Sequence, residues 1–337
     1  MASPGARRVA AIDCGTNSLR LLIADVDPGR HELADVQRRM EIVRLGQGVD
    51  ATGTLAPDAL ARTLAMLEEY AGAISESGAE AVRLVATSAT RDASNAAEFA
   101  AGVRRILGVA PEVISGADEA YLSFSGATAE LGAAGEPAGV PGRPGPPEPP
   151  FLAVDIGGGS TEFVFGAAGA GRDDLAAISV NIGCVRLTER HLHDDPPAQE
   201  QVAAATADID AALEVVATSV PAARARTLVG LAGSVTTVTA LALGLAGYDP
   251  ERIHHARIGA VRVHEVTAEL LCMNHAQRAA KAVIHPGRVD VIGAGALILD
   301  RVVTTFGFTE MVASEHDILD GIAWSLVPRA AAGHAAS

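Results

Sequence analysis

The chain has 337 residues, 49% of them hydrophobic and 20% charged, which gives it the length for two domains and excludes wholesale disorder. A net charge of −15 and an aromatic content of 3% exclude generic nucleic-acid binding through a basic face or a base-stacking platform. Cys14, Cys184 and Cys272 lie far apart with no CxxC pair, so neither a disulfide framework nor a zinc site is expected, and a reducing, cytoplasmic setting fits.

The first element is a hairpin. Residues 9–25 read VAAIDCGTNSLRLLIAD: an apolar run, an aspartate, a polar glycine-containing turn and a second apolar run. An extended stretch over His31–Leu45 follows, then an amphipathic helix over Pro57–Ser77 and a buried strand over Ala81–Thr87. A helix over Asn95–Leu107, a short strand over Glu112–Ile114 and a helix from about Ala117 close the first half. Residues 132–150, GAAGEPAGVPGRPGPPEPP, are too rich in proline and glycine to bury apolar surface and predict an exposed, flexible loop. The hairpin pattern then returns as LAVDIGGGSTEFVFG over residues 152–166. The offset is constant, so Asp13 matches Asp155, Gly15 matches Gly157 and Ser18 matches Ser160. Strands over Leu175–Ile182 and Leu228–Ala232 alternate with helices, and a last helix over Asp317–Leu326 is expected to pack back on the first half.

Two copies of one hairpin, each opening a series of alternating strands and helices, imply a duplicated α/β domain. The expected division is residues 1–130, a loop at 131–150, and residues 151–314, with the helix at about 315–328 returning to the first domain. The uncharged window Thr227–Gly247 has membrane-like hydropathy, but its glycines and the Ser234–Thr237 cluster break it into strand, polar turn and helix. No membrane segment is expected. Arg7 and Arg8 precede an apolar stretch too short for a signal peptide.

A DxGxxS turn has a definite chemical use. Its aspartate ends a strand and points into a cleft, while glycine lets backbone N–H groups converge into an anion nest. Two such turns facing each other would grip a phosphate chain from both sides. Cys14–Ser18 forms one cradle, with Gly15, Thr16, Asn17 and Ser18. The other is Gly157, Gly158, Gly159, Ser160 and Thr161. The hydroxyls of Thr16, Ser18, Ser160 and Thr161 add donors. A P-loop is excluded, because the only lysine, Lys281, has no GKS or GKT context. The pairs His191/His193 and His254/His255, and His316, read as polar surface.

The blocks AAIDCGTNSLRLLI, EIVRLGQGVDATGTL, LVATSATRDASN, EVISGADEAYLSFSG, AVDIGGGSTEFVFG, SVNIGCVRLTE, GLAGSVTTVTAL, HPGRVDVIGAGALIL and VASEHDILDGI together resemble the exopolyphosphatase / guanosine-pentaphosphate phosphatase family. They come in the family's order from about Val9 to Leu326, as in its short members. The resemblance implies a duplicated actin-like ATPase (ribonuclease H-like) fold with the active site in the interdomain cleft, and hydrolysis of a terminal phosphate. It implies Glu119 as the catalytic base, Asp155 and Glu162 as metal ligands with Asp13 as a further candidate, and Arg20 and Arg91 as phosphate-contacting arginines. Two departures stand out: Tyr121 occupies a position where the family often has arginine, and the loop after residue 131 is longer.

These assignments agree with the chemistry. Phosphoanhydride hydrolysis needs charge neutralisation and a positioned water. Mg2+ prefers oxygen ligands, Mn2+ being a substitute, and arginine forks bind phosphate in pairs. The substrate is expected to be inorganic polyphosphate or, by the same mechanism, guanosine pentaphosphate (pppGpp); a sugar or acid kinase and a non-enzymatic nucleotide switch are the readings from other classes. Because nothing reads as a guanine pocket, polyphosphate is preferred. No nucleic-acid or membrane partner is expected, and a homodimer is a candidate state.

Overall fold

The computed structural model describes residues 5–131 and 145–328. In the first half the elements are β1 (Arg7–Cys14), β2 (Ser18–Asp27), β3 (Glu32–Ile42), α1 (Val49–Thr52), α2 (Pro57–Ser77), β4 (Ala81–Ala86), α3 (Ser88–Asp92), α4 (Ala96–Leu107), β5 (Glu112–Val113) and α5 (Gly116–Thr128). The second half opens with β6 (Phe151–Ile156), β7 (Thr161–Gly166), β8 (Ala176–Val180), α6 (Cys184–His191), α7 (Gln199–Ser219), β9 (Thr227–Leu231) and α8 (Ala232–Ala242). It continues with α9 (Pro250–Ile253), β10 (Arg257–Gly259), α10 (Ala260–Cys272), α11 (His275–Ala279), α12 (Ile292–Phe306), β11 (Glu310–Ala313) and α13 (Ile318–Ser325).

The two sheets share one plan. The first has the order β3-β2-β1-β4-β5 and the second, read from its matching edge, β8-β7-β6-β9-β11-β10. In both, an antiparallel meander is joined on its inner edge to a parallel strand: β1 to β4, and β6 to β9. This is the duplicated α/β arrangement that the repeated hairpins imply, and it agrees with the actin-like fold expected from the family resemblance.

Local sequence explains the elements around the cleft. In α2, proline opens the helix, and Leu60, Thr63, Leu67, Tyr70 and Ile74 bury one stripe at three- and four-residue spacing. At the start of α5, Ser115 and Asp118 form a reciprocal capping box that satisfies two otherwise orphaned N–H groups. The window Thr227–Gly247 divides into β9, a turn and α8, and among the described residues no helix is long and apolar enough to cross a membrane.

Two helices tie the halves together in opposite senses. Ala120, Phe124 and Ala127 of α5 bury against Phe151, Ala153 and Val164 of the second sheet. Ile318, Leu319, Ile322 and Ala323 of α13 bury against Val9, Ala11, Leu22 and Ala24 of the first. The loop expected at 132–150 lies outside the described residues up to 144. Its end is fastened: Arg257 Nη2 donates to the Gly145 carbonyl at 2.6 Å, and the Glu148 N–H donates to Thr227 Oγ1 at 3.0 Å.

Candidate active site

The two hairpins close identically. The Gly15 N–H donates to the Ser18 carbonyl at 3.0 Å, and the Gly157 N–H to the Ser160 carbonyl at 3.0 Å. The turns face each other at close range. A Cβ on Gly158 would lie 2.9 Å from Thr16 Cβ, and one on Gly159 would lie 2.7 Å from Ser88 Oγ. Only glycine lets the second turn approach the first this closely, which accounts for the GGG run.

Strand register then decides the electrostatics. Arg20 stands directly opposite Asp13 in the first hairpin, and Glu162 directly opposite Asp155 in the second. In the first pair the charges neutralise. Arg20 Nε and Nη2 donate to Asp13 Oδ2 at 2.9 and 2.7 Å, and Nη1 pairs with Asp317 at the N-cap of α13. In the second pair two buried carboxylates repel each other. Asp155 Oδ2 accepts from Ser123 Oγ at 2.6 Å, and Glu162 Oε1 from Ser179 Oγ at 2.7 Å.

Glu119 enters the same cluster from α5, 8% exposed, with Arg91 Nη1 at 3.3 Å from its Oε2. Burial, then the charge of Glu162, holds Glu119 well above the usual carboxylate range against the pull of Arg91. Burial and then Asp317 push Asp155 up to about 6, and burial and then Asp155 push Glu162 up to about 8. Asp13 is raised by burial, partly offset by Arg20. Burial pushes Asp317 upward too, but Arg20, the Leu319 N–H and Arg38 together hold it below the ordinary value.

Among the described residues, two guanidiniums pair with three of these five carboxylates, and Asp13 Oδ1 is buried with no hydrogen-bond partner. A surplus of buried negative charge with an orphaned carboxylate oxygen is the donor set of a hard, oxygen-binding cation. Asp13 and Asp155 line the cleft and Glu162 stands opposite Asp155 on the neighbouring strand, but the ligand atoms of the three are not gathered within 4.8 Å of one another. The rest of the cleft suits phosphate. Thr16, Asn17 and Ser18 line one side, Gly157, Gly158 and Ser160 the other, and Gly233 and Ser234 bring the N-terminus of α8 to its wall. Arg288 lines it as well, and among the described residues no carboxylate lies within ion-pair distance of its guanidinium.

The model of the Ppx/GppA phosphatase family matches residues 22–330 of this sequence. The chain belongs to that family. It is 50% identical over 330 residues to exopolyphosphatase 2 of Mycobacterium tuberculosis, covering 95% of this chain and 98% of that protein. Its fold is similar to a crystal structure of an exopolyphosphatase-like protein, with a TM-score of 0.86 and 43% identity over 95% of this chain and 98% of the other. The Ppx/GppA enzyme of Aquifex aeolicus superposes with a TM-score of 0.75 at 32% identity, covering 95% and 99% of the two chains.

Within this Ppx/GppA chain, not every anticipated phosphate contact faces the cleft. Thr161 directs its hydroxyl to the Ile182 carbonyl at 2.7 Å, away from any substrate, because its side chain is wholly buried beneath the hairpin. Arg91 donates to the Ile114 carbonyl at 2.9 Å and braces Glu119 from behind. Arg20 lines the cleft but is already committed to two carboxylates. Gly159 packs under Ser88 and Thr16. Sequence alone assigns no role to Ser88, Ser123, Arg288 or Asp317, whereas it makes the LAGSVTT turn that holds Gly233 a candidate to approach the substrate. Arg288 lay within a quoted block, HPGRVDVIGAGALIL, without a role. The positive φ of 67° at Ala232, immediately before Gly233, is backbone strain at the same wall.

Of the histidines expected on open surface, His254, His255 and His316 gather instead, while His191 pairs with Asp208. Glu130, His254 and His316 bring ligand-type atoms within 4.8 Å of one another. The Glu315 N–H donates to His254 Nδ1 at 3.2 Å, which leaves the ring proton on Nε2, facing Glu130 Oε2 at 3.2 Å. A nitrogen carrying a proton offers a metal no lone pair, so this is a hydrogen-bonded clasp. His255 stacks on His254 at 3.7 Å; burial, then its neighbour His254, pushes its pKa down to about 4.

Proposed function

We propose that the chain is a magnesium-dependent exopolyphosphatase that releases the terminal phosphate of inorganic polyphosphate through water activated by Glu119. The observation that carries this reading is the buried like-charge pair Asp155–Glu162 beside two opposed phosphate turns, with Glu119 over them. Asp155 and Glu162 would hold the Mg2+, with Asp13 close by. Once bound, the ion would neutralise phosphate oxygens and lower the local negative charge.

The chain's own groups supply the rest. The N–H groups and hydroxyls of the two turns bind and align the terminal phosphates. Arg288 and the α8 N-terminus offer positive potential to the departing chain. Arg91 fixes the Glu119 carboxylate so that one oxygen faces the attacking water. Ionised once a cation offsets the charge of Glu162, Glu119 would accept the water's proton as the bond to the terminal phosphorus forms and the bridging P–O bond to the departing chain breaks.

Polyphosphate is favoured over guanosine pentaphosphate because the described cleft lining is made of charged groups, hydroxyls, glycines and aliphatic side chains, with no aromatic ring on which guanine could stack. The name of the M. tuberculosis relative points the same way. The three unpaired cysteines, two of them buried, support a reducing cytoplasmic location. Phosphate release measured without any acceptor, with and without EDTA, tests the reading. Release abolished by EDTA supports it; release that requires a sugar or acid acceptor would make the protein a kinase.

A further inference from the structure

Ser123 occupies a position where a helical hydroxyl has a default partner, the carbonyl four residues earlier. Other helical threonines take that option: Thr128 of the same helix donates to the Phe124 carbonyl at 2.8 Å, and Thr63 of α2 to the Ala59 carbonyl at 2.8 Å. Ser123 does not bond to the Glu119 carbonyl. It leaves the helix and donates to Asp155 Oδ2 at 2.6 Å, with both side chains buried. No other side-chain hydrogen bond reaches Asp155 among the described residues, so its second oxygen is uncommitted.

We propose that Ser123 is the positioning residue for the metal-binding carboxylate, holding one oxygen of Asp155 so that the other is presented to the cation. The surrounding helix makes this a precise placement. Residues 119, 123 and 126 follow at i, i+4 and i+7, on one face of α5. Glu119 carries the base and Ser123 the tether. Gly126 is the seat where α13 crosses, so close that an added Cβ would lie 1.9 Å from the Asp317 carbonyl. Asp317 in turn clamps Arg20 and, through it, Asp13. One helical face therefore fixes the distance between the proton acceptor and the metal carboxylate. Without the Ser123 hydroxyl, Asp155 Oδ2 would be a buried acceptor with no donor, next to the negative charges of Asp317 and Asp13.

The inference rests on the reading of Asp155 as a metal ligand, and its test separates the two. Mn2+ binding to the substrate-free protein is followed by electron paramagnetic resonance of the free ion, alongside metal-free melting temperature. Ser123→Ala is expected to weaken Mn2+ binding about 10–100-fold, the usual range for groups that orient a metal ligand, with little change in melting. Ser123→Thr, which keeps the hydroxyl, should stay near the parent, while Ser123→Val, equal to threonine in shape, should fall with alanine. That isosteric pair decides the matter even where the alanine variant folds poorly. Parent-like binding by Ser123→Ala, or equal loss in the threonine and valine variants, overturns the role of Ser123 while Asp155→Asn still abolishes binding. Parent-like binding by Asp155→Asn overturns the metal reading itself.

Discussion

Asp118 and Glu119 are neighbours in sequence with opposite fates. Asp118 caps α5, its carboxylate bonded to Ser115 Oγ at 2.5 Å and paired with Arg172, while Glu119 turns about 100° around the helix axis into the carboxylate cluster. Glu119→Gln keeps size and hydrogen bonding but accepts no proton, so kcat should drop about 10²–10⁴-fold with KM little changed. Asp118→Asn should keep most of its activity, and steady-state kinetics on both variants check the pair. Glu119 and the two hairpin aspartates were legible in the sequence because they sit in short, ordered motifs. The contrast between Arg20 and Glu162 was not, although both follow their aspartate by seven residues. Its meaning emerges only from the cross-strand register, which makes one pair an ion pair and the other a repulsive pair that calls for a cation. The bonds of Arg91 to Glu119 and the Ile114 carbonyl were not legible for a similar reason, since a guanidinium's partners depend on what the fold brings within reach of it.

At the scale of elements, α5 and α13 form the junction of the two halves. Their backbones touch at Gly126 and Gly321, where an added Cβ would lie 1.9 Å from the Asp317 carbonyl and 2.0 Å from the Leu122 carbonyl. Gly126→Ala should therefore cost about 3 kcal/mol or more of stability, read as a lower denaturation midpoint in urea. Neither the crossing nor the glycines that permit it could be read from the chain, because the contact joins residues almost two hundred positions apart. The helices themselves were readable: α2 begins and ends where the spacing of apolar residues, Pro57 and Gly78 place it.

The histidine clasp near that junction predicts a pH response. His255 has an ordinary value of 6.5 in the unfolded chain and about 4 in the folded one, so the unfolded state binds the extra proton between these limits. The contribution of His255 should fall as pH drops from 6.5 to 4, against the opposite trend of Asp155 and Glu162, whose raised values favour the folded state as they take up protons. Glu130, held down to about 2 chiefly by its bond to His254, adds a further loss at lower pH, below the ordinary carboxylate range. His255 has a left-handed φ of 61°, which asparagine tolerates. Melting temperature in His255→Asn should fall less steeply between pH 6.5 and 4 than in the parent; an unchanged slope would remove His255 as the source.

For the whole molecule, duplication is what made the fold readable: two hairpins in constant register announce two sheets of one plan, and a cleft between them. What encloses the cleft was less visible. Arg288 and the Gly233–Ser234 turn come from segments with no repeat and reach the site only through the packing of the second half. Net charge is the other property of the whole. At −15 the surface repels a polyanion, so capture depends on the cleft itself: two N–H nests, one unpaired arginine and the proposed cation. The most direct measurement is kcat/KM on polyphosphate and on guanosine pentaphosphate, side by side with magnesium, with the products sized. Higher kcat/KM is expected on polyphosphate, shortened from its ends by one phosphate at a time with matching phosphate release. Activity confined to guanosine pentaphosphate, or scission in the middle of the chain, would contradict it.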